Sequence, residues 1–305
     1  MYLRGWNAVC AVVVLVVPPV TAAASGFDVD DTWDALWRPR DGKHVYMTYL
    51  YGPSWQLYAE VVLVWAASIR QYDSSHDLVV LTVPDIPPAQ EAILASNNLT
   101  LVKRKLIRPP YKNRHRRDLQ NVWHKLNVFN CTNYSKIVLI DADCIAVDYS
   151  ISDMFSYTAT AAAAAWGALG GSTADLLGGS MPRPFNAGVM VVRPDERLFG
   201  HMMTHLHDFT EDDRLIDTQD QGWLNLYFYT FGGRTELPIR FNYDATNYRY
   251  KKYTVEYHRR IQAQGGPVVV HWPSSKLKPW QTKQYTRKYD LIWLDHCHRL
   301  NLSIC

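Results

Sequence analysis

The sequence contains few cysteines, and their spacings match no known zinc-ligand pattern. Five occur among the 305 residues, so a zinc finger or zinc ribbon is excluded. Removal of an N-terminal targeting segment would take Cys10 with it and leave four. In an oxidising compartment these four allow one or two disulfides, of which Cys297–Cys305 would close the shortest loop. The sequence alone leaves the pairing open.

The chain also lacks a large net charge and an extended basic surface. The formal charge is +3, and eight Lys and Arg residues fall within one segment, 103–117. No other segment continues this basic character, so we expect no nucleic-acid partner. The segment is either a solvated loop or a basic lid beside an anionic ligand. We favour a loop next to a phosphate site.

No apolar run has the length of an ordinary membrane span. Ala8–Val17 is continuous and apolar but falls short of the roughly 20 residues that a spanning helix needs. Arg4 precedes it and small residues follow at 21–25, so residues 1–24 are predicted to be a signal peptide or a short anchor. We therefore predict the secretory pathway lumen (ER/Golgi) or secretion. Four glycosylation triplets give weak support; they begin at Asn98, Asn130, Asn133 and Asn301.

The most informative stretch of the sequence is Lys136–Val147. Its segment Ile137–Ile140 is wholly apolar and rich in β-branched residues, which is typical of a strand buried on both faces of a parallel sheet. Asp141-Ala142-Asp143 follows at the end of that strand, where open α/β sheets bind ligands. Alternate residues of a strand point the same way, so both carboxylates can face one hard cation. The competing interpretation is ordinary capping by acidic residues.

The first half of the chain alternates strand and helix, which predicts an α/β fold with a parallel sheet. No Gly-rich phosphate loop accompanies it, so metal and basic side chains must hold any phosphate. The predicted elements are strands at His44–Leu50, Leu78–Val83 and Leu99–Val102, and helices at Gln56–Gln71, Ala89–Asn97 and Leu119–Phe129.

The second half is less regular, and no linker to a second domain is evident. We predict a single domain over residues 41–295. Glycines near the Ala-rich run Thr158–Ala165 favour a flexible segment, and Leu237–Tyr257 is expected to be irregular. The predicted elements are strands at Phe185–Val192 and Val268–His271, helices at Asp195–Thr210 and Trp223–Tyr229, and a surface helix at Tyr285–Leu294.

Several polar residues could complete a metal and phosphate site. His271 ends an apolar strand, and as a third ligand its imidazole would shift the preference from Mg²⁺ toward Mn²⁺. Lys276 and Lys278 follow closely and could contact phosphates or belong to a solvated turn. Lys125 lies among apolar residues, and a buried lysine would need an anionic partner.

A second set of polar residues could bind sugar hydroxyls. Asp220 and Gln221 place an acid and an amide side by side at a helix start, and Asn186 begins a strand in the sequence Phe-Asn-Ala-Gly. Asp217 by itself fits an ordinary helix cap.

Four motifs in order, IDADCIAV, FNAGVMVV, DQGWLN and HWPSSKLKPW, resemble glycosyltransferase family 8, which includes glycogenin and galactinol synthase. The similarity extends over about Val45–Trp280 and looks closest to the plant branch that glucuronosylates inositol phosphorylceramide. It implies a GT-A fold, in which a Rossmann-like nucleotide-binding half-sheet with a DxD motif is fused to an acceptor-side half. It also implies a retaining transfer from a UDP-sugar with Mn²⁺, with Mg²⁺ as the alternative.

By motif match, the resemblance also implies residue roles. Asp141, Asp143 and His271 would be the metal ligands. Asp220, Gln221 and Asp217 would lie in the catalytic centre beside the transferred sugar. The substrate-binding residues would be Tyr49, Leu50, Tyr58, Arg116, Lys125, Asn186, Ala187 and Lys278.

The chain departs from the family pattern at two places. Ala187 stands where serine is more frequent, and Ser274-Ser275-Lys276 replaces a glycine before the KPW motif. No counterpart of glycogenin's self-glucosylated tyrosine region can be placed, which argues against self-priming. Retention could proceed through a covalent intermediate on Asp220 or by same-face attack, which we favour.

Two other functions were weighed against this one. A phosphatase would carry its aspartates on the first strand, and here they come late. A non-catalytic sugar-binding protein on the same fold is the main alternative. The expected partners are a UDP-sugar and a glycan, glycolipid or glycoprotein acceptor; the donor sugar, the acceptor and a homodimer are left open.

Overall fold

The computed structural model describes most of the chain from Gly42 to Cys305. The described ranges are 42–52, 54–108, 121–157, 161–165, 185–208, 220–246, 251–273, 277–283, 285 and 287–305. Predictions for residues 1–24, for most of the basic segment with Arg116, and for Asp217 and Lys276 lie outside these ranges.

Ten strands are present in the described ranges and form two sheets. They are β1 Lys43–Leu50, β2 Asp77–Thr82, β3 Thr100–Lys103, β4 Tyr134–Ile140, β5 Cys144–Ala146, β6 Ala161–Ala165, β7 Phe185–Val192, β8 Arg234–Leu237, β9 Tyr243–Asp244 and β10 Val269–His271. The larger sheet has the order β3-β2-β1-β4-β7-β6-β8, and the smaller has the order β5-β10-β9.

The described ranges also contain α-helices and 3₁₀ helices. The α-helices are α1 Trp55–Tyr72, α2 Pro88–Ser96, α3 Glu196–Thr204, α4 Asp220–Phe231, α5 Lys251–Ala263, α6 Pro279–Thr282 and α7 Lys288–Arg299. The 3₁₀ helices are Val122–Asn130, Tyr149–Ser156 and Ile239–Asn242. The segment predicted as a helix at Leu119–Phe129 is therefore a 3₁₀ helix where it is described.

The first half of the larger sheet is parallel, as the alternation of strands and helices predicts. β1 pairs with β2 and β4, and β2 pairs with β3, all in parallel. β7 then runs antiparallel to β4 and to β6. Side chains of β1 alternate between two hydrophobic clusters, with Tyr46 and Leu50 in one and Val45 and Met47 in the other. Both faces of the sheet are thus buried, which explains the uninterrupted apolar strands.

The smaller sheet brings the end of β10 to the end of β4. β5 begins directly after Asp143 and pairs antiparallel with β10, so that Cys144 lies opposite His271. The backbone N–H of Trp272 donates to the carbonyl of Asp143 at 3.1 Å. The DxD motif and the VVVH segment therefore meet at one edge of the fold.

The Ala-rich segment differs from the flexible segment predicted for it. Ala161–Ala165 forms β6, which pairs antiparallel with β7 and parallel with β8. Two neighbouring strands supply hydrogen-bond partners for its backbone, and this pairing overrides the intrinsic preference of alanine for helix.

Of two predictions for the C-terminal part, the first was wrong and the second was confirmed. The stretch expected to be irregular contains β9 and most of α5, which buries Tyr257 and Ile261 one turn apart. The predicted surface helix is present as α7, which exposes Leu291 on one face and packs Trp293 and Cys297 into a hydrophobic cluster on the other. Cys297 and Cys305 form the disulfide with the shortest predicted loop. No helix within the described ranges is both long and apolar enough to span a bilayer.

A buried carboxylate at the end of α1 ties this helix to the sheet. Asp73 accepts hydrogen bonds from the Tyr46 hydroxyl at 2.8 Å, from the Ser75 hydroxyl at 2.6 Å and from Nδ1 of His76 at 2.7 Å. Burial acts to raise the pKa of Asp73, but these hydrogen bonds outweigh it and lower the pKa to about 2.

We expect Asp73→Asn to lower the free energy of unfolding by about 1–3 kcal/mol at neutral pH, because acceptor capacity for buried donors is lost. The pKa of the folded carboxylate is depressed, so its contribution is fully present above about pH 4 and is lost as the pH falls toward 2. Urea unfolding of both proteins between pH 7 and pH 3 checks this. The exposed Asp77→Asn serves as the matched control. An equal deficit at every pH would contradict the assignment to the ionised carboxylate.

Candidate active site

The site lies at the C-terminal end of β4, where the DxD motif leaves the sheet. The N–H of Asp141 donates to the carbonyl of Gly188 on β7 at 2.8 Å, and the N–H of Cys144 donates back to the carbonyl of Asp141 at 3.1 Å. This backbone turn directs the chain from the larger sheet into β5. Both aspartates are thereby held at the junction of the two sheets.

Asp143 lies between a lysine and a histidine from the distant C-terminal segment. Its Oδ2 forms an ion pair with Nζ of Lys278, and its Oδ1 lies 3.4 Å from Nε2 of His271. Nζ of Lys278 also donates to the carbonyl of Trp272 at 3.1 Å. Burial disfavours the ionised carboxylate, but the ammonium group of Lys278 outweighs it and holds the pKa of Asp143 below its usual range.

Asp141 is paired with the other buried lysine. Nζ of Lys125 lies 3.1 Å from Oδ1 of Asp141 and 3.5 Å from Oδ2 of Asp220, and it donates to the carbonyl of Ala187 at 2.9 Å. Lys125 is only 3% exposed, as its apolar neighbours in the sequence suggested. Asp141 and Asp220 are the anionic partners that such a buried lysine needs. Tyr49 completes its surroundings, with the ring centroid 5.1 Å from Nζ.

Burial and neighbouring charges act in opposite directions on the pKa values of Lys125 and Asp141. Burial lowers the pKa of Lys125, but Asp141 and Asp220 outweigh it and raise the pKa above the usual value. Burial raises the pKa of Asp141; Lys125 opposes this shift and Asp143 adds to it. Three carboxylates thus share two ammonium groups, and the cluster retains one excess negative charge when all are ionised.

The residues predicted to surround the sugar are also close together. Asp220 opens α4, and Oε1 of Gln221 accepts from the N–H of Ala187 at 3.1 Å. Oδ1 of Asn186 accepts from the N–H of Gly188 at 2.8 Å. The bond between Ala187 and Gln221 attaches the start of α4 to the start of β7, one strand away from the DxD motif.

The predicted substrate-binding residues Tyr49, Tyr58 and Leu50 have different surroundings. Tyr49 stacks on Tyr51, with ring centroids 5.7 Å apart, and lies against the Lys125 cluster. Tyr58 packs edge-on against Trp280, with ring centroids 6.4 Å apart. Leu50 is instead 2% exposed and belongs to the core cluster, so its side chain contributes to packing.

The donor set suits a divalent cation beside Asp143. Oδ1 of Asp143 is buried and accepts no hydrogen bond within the described part of the chain. Ligand atoms of Asp143, Cys144 and His271 lie within 4.8 Å of one another. A buried carboxylate oxygen without a donor is costly, and a cation would satisfy it. Of the three predicted ligands, Asp143 and His271 fall in this group, whereas Asp141 is held by Lys125.

Three contributors were missed by the sequence-based prediction. Cys144 belongs to the donor group, and Asn242 bonds to Nδ1 of His271 at 2.9 Å. Gly188 provides the space for the imidazole ring, since a Cβ there would overlap Cε1 of His271. The glycine two residues after Asn186 was a signal in the sequence, whereas the contacts of Asn242 come from the tertiary fold.

Comparison with known proteins gives one family and several relatives. The sequence model of glycosyl transferase family 8 matches residues 54–284, more than half of the chain. Inositol phosphorylceramide glucuronosyltransferase 1 of Arabidopsis thaliana is 30% identical over 62% of this chain and 31% of its own length. Putative UDP-glucuronate:xylan alpha-glucuronosyltransferase 5 of the same plant is 30% identical over 81% of this chain and 38% of its own length.

A third relative, human glycogenin-1, is 26% identical over 73% of this chain and 59% of its own length. The chain thus spans less than two thirds of each of these relatives. Among solved structures, the galactosyltransferase LgtC in complex with donor and acceptor sugar analogues has a TM-score of 0.65 at 18% identity, covering 86% of this chain and 96% of that one. GlyE of Streptococcus pneumoniae has a TM-score of 0.58 at 18% identity, covering 84% and 60%. At such low identity, these two structures bear on the fold alone.

Proposed function

Because the chain belongs to glycosyl transferase family 8 and has the GT-A fold, we propose that it transfers a hexosyl group from a UDP-sugar, with retention and with Mn²⁺. The observation that carries the proposal is the buried Oδ1 of Asp143, which faces Nε2 of His271 and meets no hydrogen-bond donor among the described residues. A carboxylate oxygen and an imidazole nitrogen form a donor set that suits Mn²⁺ better than Mg²⁺.

In this proposal, Asp143 and His271 hold the ion, with Asp141 beside them. The ion supplies Lewis-acid stabilisation of the departing diphosphate. Lys278 and Lys125 contribute two buried ammonium groups to the same site, where they pair with Asp143 and Asp141. Ammonium groups in a desolvated site stabilise developing phosphate charge more strongly than they would in water.

Retention by same-face attack is favoured over a covalent intermediate. The carboxylate available for nucleophilic attack is Asp220, and its Oδ2 lies 3.5 Å from Nζ of Lys125. A carboxylate held by a buried ammonium group is a weaker nucleophile, because attack would remove the charge that pairs with that lysine. Asp220 and Gln221 then serve to orient the sugar.

The donor, acceptor and location complete the proposal. Two of the plant relatives are named as glucuronosyltransferases, so UDP-glucuronate is the first donor to test, followed by the UDP-activated glucose, galactose and N-acetylglucosamine. The proposed acceptor is a glycan, glycolipid or protein-linked sugar in the secretory pathway lumen. Residues 1–24 would act as its leader or anchor, and residues 41–295 would form the transferase domain.

Asp143→Asn tests the proposal, because the variant keeps the size of the side chain and removes its charge. We expect Mn²⁺-dependent turnover of the UDP-sugar to fall about a hundredfold or more, since metal stabilisation of the leaving group supplies several kcal/mol. The measurement is UDP release with Mn²⁺, with and without an acceptor, and thermal unfolding confirms that the variant is folded. Asp77→Asn, which changes an exposed residue at the opposite end of the sheet, should retain full turnover.

Undiminished turnover by Asp143→Asn would refute the metal assignment. Binding of UDP-sugars by the wild-type protein without hydrolysis or transfer would instead support the alternative, a non-catalytic sugar-nucleotide-binding protein on this fold.

A further inference from the structure

A buried asparagine outside all of the sequence motifs contacts the imidazole ring of the site. Asn242 ends the 3₁₀ helix that leads into β9, and it is 8% exposed. Its Oδ1 lies 2.9 Å from Nδ1 of His271, and its Nδ2 lies 3.0 Å from Oδ1 of Asn186. One amide group thus bridges a histidine on β10 and an asparagine on β7.

The direction of this hydrogen-bonded chain is fixed by a backbone group. The N–H of Gly188 can only donate, and it lies 2.8 Å from the side chain of Asn186, so the atom that faces it must be the oxygen of Asn186. That oxygen accepts from Asn242 as well, which requires the nitrogen of Asn242 on this side. The oxygen of Asn242 therefore faces His271, and Nδ1 of the imidazole must carry a proton.

We propose that Asn242 is a positioning residue, which holds neutral His271 in the tautomer protonated at Nδ1 and so presents the lone pair of Nε2 to the cation. Nε2 lies 3.4 Å from the buried Oδ1 of Asp143, for which the described part of the chain provides no hydrogen-bond donor. Two lone pairs facing each other across this gap repel unless a cation lies between them. The inference rests on the metal site of the proposed function and adds the group that orients its imidazole ligand.

The hydrogen bond between Asn186 and Asn242 explains why the amide of Asn242 keeps one orientation. Swapping the oxygen and nitrogen of Asn242 would bring its oxygen against the oxygen of Asn186, whichever tautomer His271 adopts. That contact would be repulsive in a buried setting, where an unsatisfied polar group costs about 1–3 kcal/mol. Hydrogen bonds of this kind to metal-binding histidines typically change metal affinity by about 10–100-fold.

Asn242→Leu and Asn242→Asp separate positioning from packing. Asn242→Leu removes the acceptor for Nδ1 of His271, and we expect the Mn²⁺ dissociation constant to rise about 10–100-fold by isothermal titration calorimetry. Asn242→Asp keeps an acceptor for Nδ1 and should therefore retain most of the affinity, although it loses the bond to Asn186. Asn127→Leu is the matched control, since Asn127 is another buried asparagine that contacts a histidine, at 3.2 Å from Nδ1 of His124.

Nitrogen NMR of the metal-free protein provides a readout that is independent of metal and of activity. With ¹⁵N-labelled histidine, the His271 signals are assigned by their loss in His271→Gln. At a pH where the ring is neutral, we expect wild-type His271 to show a protonated Nδ1 and an unprotonated Nε2, and we expect Asn242→Leu to show a mixture of tautomers. Both results should be unaffected by Asn127→Leu.

A proton on Nε2 in the wild-type protein would overturn the inference, and so would unchanged Mn²⁺ affinity in a folded Asn242→Leu variant. If Asn242→Leu does not fold, the wild-type spectrum alone decides. A wild-type protein that binds no Mn²⁺ but shows the expected tautomer would refute the proposed metal chemistry while leaving the orientation by Asn242 in place.

Discussion

The Gly188→Ala variant is expected to lose Mn²⁺ binding, and with it sugar transfer, by about a hundredfold or more. The new methyl group would overlap Cε1 of His271 and would lie 2.8 Å from Nδ1 of the same ring and from Oδ1 of Asn186. The imidazole is buried and bound to Asn242, so it cannot move aside without losing its place beside Asp143. Overpacking of this kind also costs stability, by about 1–3 kcal/mol.

The effect should come from the collision and not from the backbone. Gly188 does not have the positive φ that favours glycine, so alanine is allowed there by conformation. The double variant Gly188→Ala/His271→Ala makes room for the methyl group. It should regain stability relative to Gly188→Ala while remaining unable to bind Mn²⁺ tightly.

Gly200→Ala is the matched control for this substitution. Gly200 lies within α3, and a Cβ there would meet nothing within 4 Å. We expect unchanged metal affinity and a gain of up to about 1 kcal/mol in stability, since alanine is the better helix former. Calorimetric Mn²⁺ titration and urea unfolding measure both effects. Wild-type Mn²⁺ affinity in Gly188→Ala would show that His271 does not need this space.

Lys125→Met is expected to reduce the free energy of unfolding by about 3–5 kcal/mol, because it removes the cation from a buried group of charges. Asp141 and Asp220 would remain buried without their ammonium partner, and the carbonyl of Ala187 would lose its donor. Methionine has a similar length, so the loss would reflect charge more than volume. Urea unfolding at neutral pH gives the measurement.

Lys43→Met provides the comparison at the surface. Lys43 pairs with Asp77 at 3.1 Å, but the two side chains are 75% and 56% exposed. Exposed ion pairs contribute about 0–1 kcal/mol, so we expect little change. Equal effects of the two substitutions would contradict the view that the Lys125 cluster is held together by charges withdrawn from water.

Local patterns in the sequence were sufficient to predict the nucleotide-binding half of the fold. Mainly apolar runs predicted β1, β2 and β7 to within one residue and the end of β4, because burial on both faces leaves few polar positions within such strands. The DxD motif was correctly placed at the end of β4. Residue identity also indicated that Lys125 needed an acid, since a buried ammonium group is not tolerated alone.

Patterns failed where pairing with distant strands outweighed local preference. The alanines of β6 read as helical or flexible, yet two neighbouring strands fix them in the sheet. Residues of α5 read as irregular, yet Tyr257 and Ile261 pack into the C-terminal cluster. In both cases the stabilising contacts come from parts of the chain that a local window does not contain.

The sequence by itself determined β1 to β4, β7 and β10, the family and the chemical types of residue at the site. Only the tertiary structure decided how these residues are paired: Lys278 meets Asp143 across 135 residues, and Asn242 reaches Asn186 across 56. Those pairings depend on the antiparallel register of β5 and β10, which places Cys144 opposite His271. The physical reason is that composition sets which groups need a partner, whereas hydrogen-bond direction and the space left by Gly188 select which partner each one finds.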